Sequence, residues 1–449
     1  MGDNRNADSS NPPKTIRVIR VTYGSHIKNE VHGLIWHADG MGVVAFYKEL
    51  QRQDKNKVVP DIFIVESKFK RDSNITEQLD GLLTELKIQL DKNVIPDYRC
   101  QVAIHFKDEP SSHGRWIALD VQIKDGKPLF LIMDDLGHTG HTKKVEEKIT
   151  TIFGDGQAIF TFGTENQIQA DGESCSRFCL YNLLVTQKID LISTLPDLKI
   201  EKKEGVKRID YKTLPAKLAD LIVPTHRLDD FAKSVPDALK GLLLGAKQEK
   251  TLEQKIEAHS SKGKNRNNEF KIHNKYIYHK KSKFEAGVAK LLSKLSDDQI
   301  KNILQSYSRF NIVTVSLTDM FKKINDKTIW DEKPPNGVAE MQKIIAEFLK
   351  NNEKSEVETS IPDIKKIMSE LKNAALINVK SIARYLTMSN EKSELFQTQE
   401  NHPKLIQAYQ LYRAILSLNV NEKSGRLTFN DSVNLFSEKQ PQFVKRSQL

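Results

Sequence analysis

Residues 167–186 read QIQADGESCSRFCLYNLLVT, and the change of character at Cys175 decides how the rest of the chain is read. The first half is polar and turn-prone, with Ala170, Asp171 and Gly172 leading through Glu173 and Ser174 into Cys175. Apolar residues then recur at helical spacing, as Phe178, Leu180, Tyr181, Leu183 and Leu184. Ser174 is placed to cap that helix, which sets Cys175 in its first turn. The partial positive charge of a helix N-terminus can pull a thiol pKa from about 8.5 into the range of roughly 3.5–7.5. Of the three cysteines, Cys175 is therefore the one expected as a thiolate. The plainer alternative is a small buried residue on a helix, since free Cys is among the most buried residue types. The residues around it decide between the two.

Composition bounds the class. At 449 residues, with 29% charged and 38% hydrophobic, the chain has room for two or three domains and reads as globular. No apolar run approaches the ~20 residues that a bilayer span needs, so membrane insertion is not expected. No signal h-region follows Met1, and Asn6 stands where a myristoylation signal wants Ser or Thr. Three cysteines point to a reducing compartment without a disulfide framework. Cys175 and Cys179 lie one helical turn apart, without the further Cys or His that zinc requires, so no metal is expected. The net charge of +10 is unevenly spread, because residues 247–283 hold eleven Lys or Arg against four Glu. That implies an anionic partner or a solvated face. Few aromatics interleave there, so nucleic acid is not expected.

Residues 1–14, polar with Pro12 and Pro13, predict a disordered leader. Strands are expected at Thr15–Tyr23 and Ile62–Glu66, with a helix near Val43–Leu50 between them. Asn74 is placed to cap a helix through Leu90, with Leu79, Leu82, Leu83, Leu86 and Leu90 on one face. Four strand-like runs follow: Cys100–Phe106, Trp116–Ile123, Leu129–Met133 and Ala158–Phe162. Lys124–Asp125–Gly126–Lys127 is a hairpin turn between the second and third, and a helix at Thr142–Phe153 precedes the fourth. The pattern predicts an α+β core, a small mixed sheet with flanking helices rather than a doubly wound one. A loop-rich stretch at Ile192–Leu214 and the basic segment, with a short strand at Lys275–His279, come next. Helices are then expected at Phe284–Leu295, Asp297–Tyr307, Gly337–Leu349, Ile364–Ala374, Val379–Thr387 and Leu405–Leu416. Glu332–Gly337 and Glu353–Pro362 read as connections. The expected organisation is a leader (1–14), a core (15–290) containing a basic regulatory region at about 200–283, and a helical C-terminal domain (291–449).

A cysteine nucleophile needs a base in reach, an acid to orient the base, and donors for an oxyanion. His113 precedes the strand Trp116–Ile123, Asp134 ends the strand Leu129–Met133, and Gln169 lies in the run before Cys175. That order makes His113 the candidate base and Asp134 the candidate acid. Asp135 is the alternative acid, because only one of two neighbours on a strand end faces inward. His105 lies within a strand, on the face opposite Val102, Ile104 and Phe106, which predicts a structural or solvated role. His138 and His141, in the loop GHTGH, can equally be open to solvent.

The blocks HGRWIALDVQ (113–122), KPLFLIMDDLG (127–137) and IQADGESCSRF (168–178) resemble, in that order, the cysteine-dependent clan of SUMO-type proteases. Within it, the closer resemblance is to the YopJ family of bacterial effector acetyltransferases. LPAKL (214–218), THRL (225–228) and HNKYIYHKK (273–281) are similar to later blocks of that family, so the resemblance spans roughly residues 70–290. Counted back without gaps from the Asp125–Gly126 turn, Arg115 falls where the family places its His, and His113 is two positions earlier. Ser176 stands where many relatives have Gly. The resemblance implies a SUMO-protease-like core and transfer of acetyl from acetyl-CoA, through a thioester on Cys175, to Ser, Thr or Lys of host proteins. It further implies activation by inositol hexakisphosphate on a basic surface, for which Lys271, His273, Lys275, Lys280 and Lys281 are the local candidates, and secretion by a bacterium into the host cell cytoplasm. A deconjugating thiol protease would use the same triad without the polyphosphate. A catalytically inactive host-protein-binding effector is the third reading.

Overall fold

Along Arg115–Lys124, Trp116 and Ala118 point to one face while Ile117, Leu119, Val121 and Ile123 point to the other, and all six are buried. A strand apolar on both faces has to be covered on both. The computed structural model describes residues 36–53, 61–70, 77–107, 114–162, 167, 175–195, 201–203, 206–210, scattered positions between 214 and 254, 281–308, 310, 312–330, 334–352, 360–387, 405–420 and 425–430. The leader 1–14, the strand expected at Thr15–Tyr23, the cap at Asn74 and the strand expected at Lys275–His279 lie outside these residues.

The elements run α1 (Ala38–Gln53), β1 (Asp61–Lys68), α2 (Gln78–Asp91), β2 (Tyr98–Lys107), β3 (Arg115–Lys124), β4 (Lys127–Met133), α3 (Gly140–Phe153), β5 (Ala158–Phe162), α4 (Cys175–Thr186), α5 (Leu191–Thr194), β6 (Glu201–Lys203) and β7 (Val206–Ile209). A small pair, β8 (Leu243–Leu244) and β9 (Lys250–Thr251), follows. The C-terminal part holds α6 (Lys281–Ser293), α7 (Asp297–Ser306), β10 (Ile312–Val315), α8 (Leu317–Ile324), α9 (Lys327–Trp330), α10 (Asn336–Asn352), α11 (Ile361–Thr387), α12 (Leu405–Ser417), β11 (Asn419–Val420) and β12 (Leu427–Asn430).

Seven strands form one mixed sheet in the order β1-β2-β3-β4-β5-β7-β6. The β2–β3, β3–β4 and β6–β7 pairs are antiparallel; β1–β2, β4–β5 and β5–β7 are parallel. On one face α2 and α3 set Leu79, Leu83, Val145 and Ile149 against Ile117, Leu119 and Phe130. The other face carries α1, α4 and the C-terminal helices in a single apolar cluster, which joins Trp116, Ala118 and Leu131 to Phe178, Met341, Leu371 and Tyr409. The fold is thus an α+β sheet flanked by helices, with a helical C-terminal region. The boundary expected at 290 falls inside α6.

The Asp125–Gly126 hairpin forms as expected, with φ of +50° and +72°, the signs a tight two-residue turn requires. Helix α3 starts ahead of the expected Thr142, because Thr139 caps it and forms a reciprocal capping box with Thr142. The two helices expected at Ile364–Ala374 and Val379–Thr387 are one continuous α11. Nothing in Ala375–Asn378 breaks a helix, and Asn378 instead donates its amide to Ala374 O at 2.8 Å and to Glu340 at 3.1 Å. The three-stranded sheet β10-β12-β11 has no counterpart in the sequence reading.

Segments far apart in sequence meet at Glu49 on α1, which is buried. Its carboxylate takes Arg413 Nε at 2.5 Å, Tyr307 Oη at 2.8 Å and Tyr409 Oη at 3.1 Å. Tyr409 and Arg413 sit four apart on α12, so both reach from one helix face. Glu49→Ala leaves the Arg413 charge in the core without its counter-ion, which destabilises a protein by about 3–5 kcal/mol. The expected result is a urea unfolding midpoint well below wild type, with an unchanged slope.

Candidate active site

The first residue of α4 is Cys175, 3% exposed. Its sulfur accepts from the backbone N–H groups of Trp116, at the start of β3, and of Ser176. The start of an internal strand and a helix N-terminus therefore meet at the same atom. The expectation of a lowered thiol pKa is nonetheless corrected. Burial pushes Cys175 above the ordinary thiol range, against the opposing pull of Arg115 and the two N–H groups. The helix N-terminus is present, but desolvation of the charged form outweighs it. Cys100 and Cys179 are buried completely and pushed further, with Asp61 beside the first and Asp135 beside the second.

The chain enters β3 through Gly114 at φ +60°. A Cβ there would fall on the Phe106 carbonyl oxygen and lie 2.8 Å from His105 Nε2, so only glycine fits the approach. The next residue, Arg115, projects its guanidinium to Asp134 at 2.5 Å. Burial disfavours its charge, yet Asp134, Asp135 and Cys175 together raise its pKa. Arg115 is thus a permanent cation at the point where the resemblance places a histidine.

Asp134 is fully engaged. One oxygen accepts from Arg115 and from Leu136 N–H at 3.1 Å; the other accepts from Thr139 Oγ1 at 2.6 Å and Thr142 Oγ1 at 3.1 Å. Those four donors fill the roughly four acceptor positions of a carboxylate. Asp135 differs. Asn182 donates to its Oδ1 at 2.7 Å, while its buried Oδ2 has no hydrogen-bond partner among the described residues. Burial holds the Asp135 carboxyl well above the usual range, and Arg115 offsets part of that.

The base candidate His113 and Gln169 lie outside the described residues, as do Lys271, His273, Lys275, Lys280 and the side chain of Lys281. The structure brings Asp134, Arg115 and Cys175 together. His105 is not solvated: it is fully buried and stacked on Trp116 at 4.2 Å, with Nδ1 3.9 Å from Glu66. His138 lies 3.2 Å from both oxygens of Glu146, which also binds Arg208 at 2.6 Å. His141 stacks on Phe69 at 4.1 Å. Sequence reasoning missed Thr139 and Thr142 as partners of Asp134, although their three-residue spacing is that of a capping box. Asn182 was missed too. It lies seven residues beyond Cys175 on α4, hence on the same helical face.

The raised pKa of Asp135 has a definite consequence for stability. The folded protein holds this proton more tightly than the unfolded chain, so the contribution is present below about pH 4 and is lost as pH rises through the folded value. Asp135→Asn keeps an acceptor for Asn182 without a charge. The variant is expected to melt a few degrees above wild type at about pH 8. In thermal scans that gain should vanish at about pH 4.

No protein-family model matches the chain, and no curated protein matches it. Among solved structures it is similar to AvrA delL154 with IP6 and CoA, at 13% identity and a TM-score of 0.35, over 60% of this chain and 98% of that one. HopZ1a in complex with IP6 and CoA is similar at 12% identity and a TM-score of 0.33, over 52% and 79%. At such scores the likeness carries no argument, and the reading of the site rests on its own residues.

Proposed function

We propose that this chain is a cysteine-dependent acyltransferase of the YopJ type, in which Cys175 takes an acetyl group from acetyl-CoA. The acceptors are Ser, Thr or Lys side chains of host proteins, with His113 as base, Asp134 as the acid of the set and Gln169 beside the oxyanion. The setting is a bacterial effector delivered into the host cell cytoplasm. Inositol hexakisphosphate binds the basic segment through Lys271, His273, Lys275, Lys280 and Lys281 and activates the enzyme.

The observation that carries this reading is the placement of the Cys175 sulfur. It heads a helix, accepts two backbone N–H groups and lies beside a buried cation. Those donors are the kind that stabilise negative charge developing on or next to a nucleophile. A second reading, a catalytically inactive effector that binds host proteins, is favoured by one observation: Asp134 is saturated by Arg115, Leu136, Thr139 and Thr142. Intact mass after incubation with acetyl-CoA separates the two. The enzyme is expected to gain one hydroxylamine-labile acetyl group, which Cys175→Ala loses and Cys179→Ala keeps. An unmodified mass would favour the inactive binder.

Activation has its own readout. Polyphosphate bound only to the folded state stabilises by about 2.7 kcal/mol at 100 times its Kd, a melting shift of a few degrees. The shift should shrink at high salt and fall sharply in a Lys275→Ala, Lys280→Ala, Lys281→Ala triple variant. A flat titration would leave residues 247–283 as a solvated face.

A further inference from the structure

From the contacts that join His138, Glu146 and Arg208, we propose that Glu146 is a positioning residue for Asp134, the acid of the reaction. Gripped by Arg208, it holds through His138 the loop that follows the acid. This role rests on the acyltransferase reading and adds to it a requirement away from the reacting atoms.

Besides Arg115, the donors on Asp134 all belong to the chain that follows it. They are the Leu136 N–H and the hydroxyls of Thr139, which caps α3, and Thr142 in its first turn. The direction of this carboxylate is therefore set by where the loop 135–138 and the start of α3 lie. Thr142 ties that loop once more, donating to Gly137 O at 3.4 Å. One turn further along the same helical face comes Glu146, which is buried. Both its oxygens lie 3.2 Å from His138 Nε2, so the loop is fastened just ahead of the cap.

Arg208 holds Glu146 from the sheet. On β7, Val206 packs on the face that α2 and α3 cover, and strand alternation sends Arg208 the same way. Register sets Arg208 beside Thr161 of β5, and Thr161 beside Ile132 of β4, two residues ahead of Asp134. The guanidinium meets both carboxylate oxygens, Nη1 at 2.6 Å and Nη2 at 3.4 Å, a fork that fixes angle as well as distance. The side chains of His138, Glu146 and Arg208 are 17%, 8% and 15% exposed, so salt screens the cluster little. Exchanging both partners of a buried ion pair for apolar groups is often neutral or stabilising. Such a pair is a weak source of stability, and what it supplies here is the placement of His138.

The test uses the full chain with acetyl-CoA, an acceptor peptide rich in Ser, Thr and Lys, and inositol hexakisphosphate. It follows acetyl transfer and, separately, amide hydrogen exchange across residues 134–142. The double variant Glu146→Met, Arg208→Met removes both charges and is expected to melt within a few degrees of wild type. Its amides between 134 and 142 should exchange faster by about tenfold or more. Its kcat is expected to fall by roughly 10- to 10²-fold, with KM for acetyl-CoA within about twofold of wild type. Arg208→Lys, which keeps a charged donor, should recover much of the kcat that Arg208→Gln loses. Wild-type kcat in the double variant, or unchanged exchange over 134–142, would overturn the clamp and leave the acyltransferase reading standing. A loss confined to KM would do the same, since it marks substrate binding and not the orientation of an acid. A wild-type chain on which Cys175 never gains an acetyl group would overturn that reading and the role of Glu146 together.

Discussion

One buried carboxylate, that of Asp120, ties the Cys175 helix to the sheet. Four donors converge on it: Arg99 Nε at 3.0 Å, Arg99 Nη2 at 2.9 Å, Gln101 Nε2 at 2.7 Å and Thr186 Oγ1 at 2.6 Å. Two of these side chains also reach past it to the helix end. Arg99 donates to the carbonyls of Thr186 and Ile189, both at 2.7 Å, and Gln101 to that of Leu183 at 2.7 Å. Carbonyls at the helix C-terminus, two of which also accept backbone N–H groups of the following turn, thereby gain side-chain donors, and a cation sits where the helix dipole is negative. With its far end fixed this way, the helix cannot slide by a residue without taking Cys175 away from the Trp116 N–H. Each of these bonds, if broken inside the core, leaves a desolvated polar group at a cost of about 1–3 kcal/mol.

The neighbours Asp134 and Asp135 show how one strand end gives two environments. Asp134 lies against the N-terminus of α3 and collects the Thr139 and Thr142 hydroxyls along with Arg115. Asp135 turns to the Cys175 helix and meets the amide of Asn182. Each acceptor position of the first carboxylate is answered by a donor. The second is buried with an oxygen that no described residue answers, and so favours its neutral form.

Much of the sheet was legible. Alternation marked β2 to β5, the Asp-Gly pair marked the hairpin, and spacing marked Cys175 as a helix start. These are local signals, set within a few residues. The raised pKa of Cys175 was not legible, because desolvation depends on what packs around the sulfur, and that includes β3, distant in sequence. Nor was the engagement of Asp134. The gap-free count to Arg115 showed a cation at the histidine's place, but only the fold shows it at 2.5 Å from the acid. For His105 the strand position left a structural and a solvated role open, and only the fold, with Trp116 stacked on it, shows the structural one. The Glu49 cluster joins residues 258 and 360 positions apart, beyond any window of sequence pattern.

That last cluster bears on the order in which the chain can be made. A ribosome delivers Tyr409 of α12 360 residues after Glu49 of α1, at roughly 5–20 residues each second. Until Arg413 emerges, the Glu49 carboxylate has no cation to meet and is better left in water. Helix α1, on the Cys175 face of the sheet, therefore stays unsettled while the whole interval is synthesised. Its place in the fold is settled only once α12 has emerged.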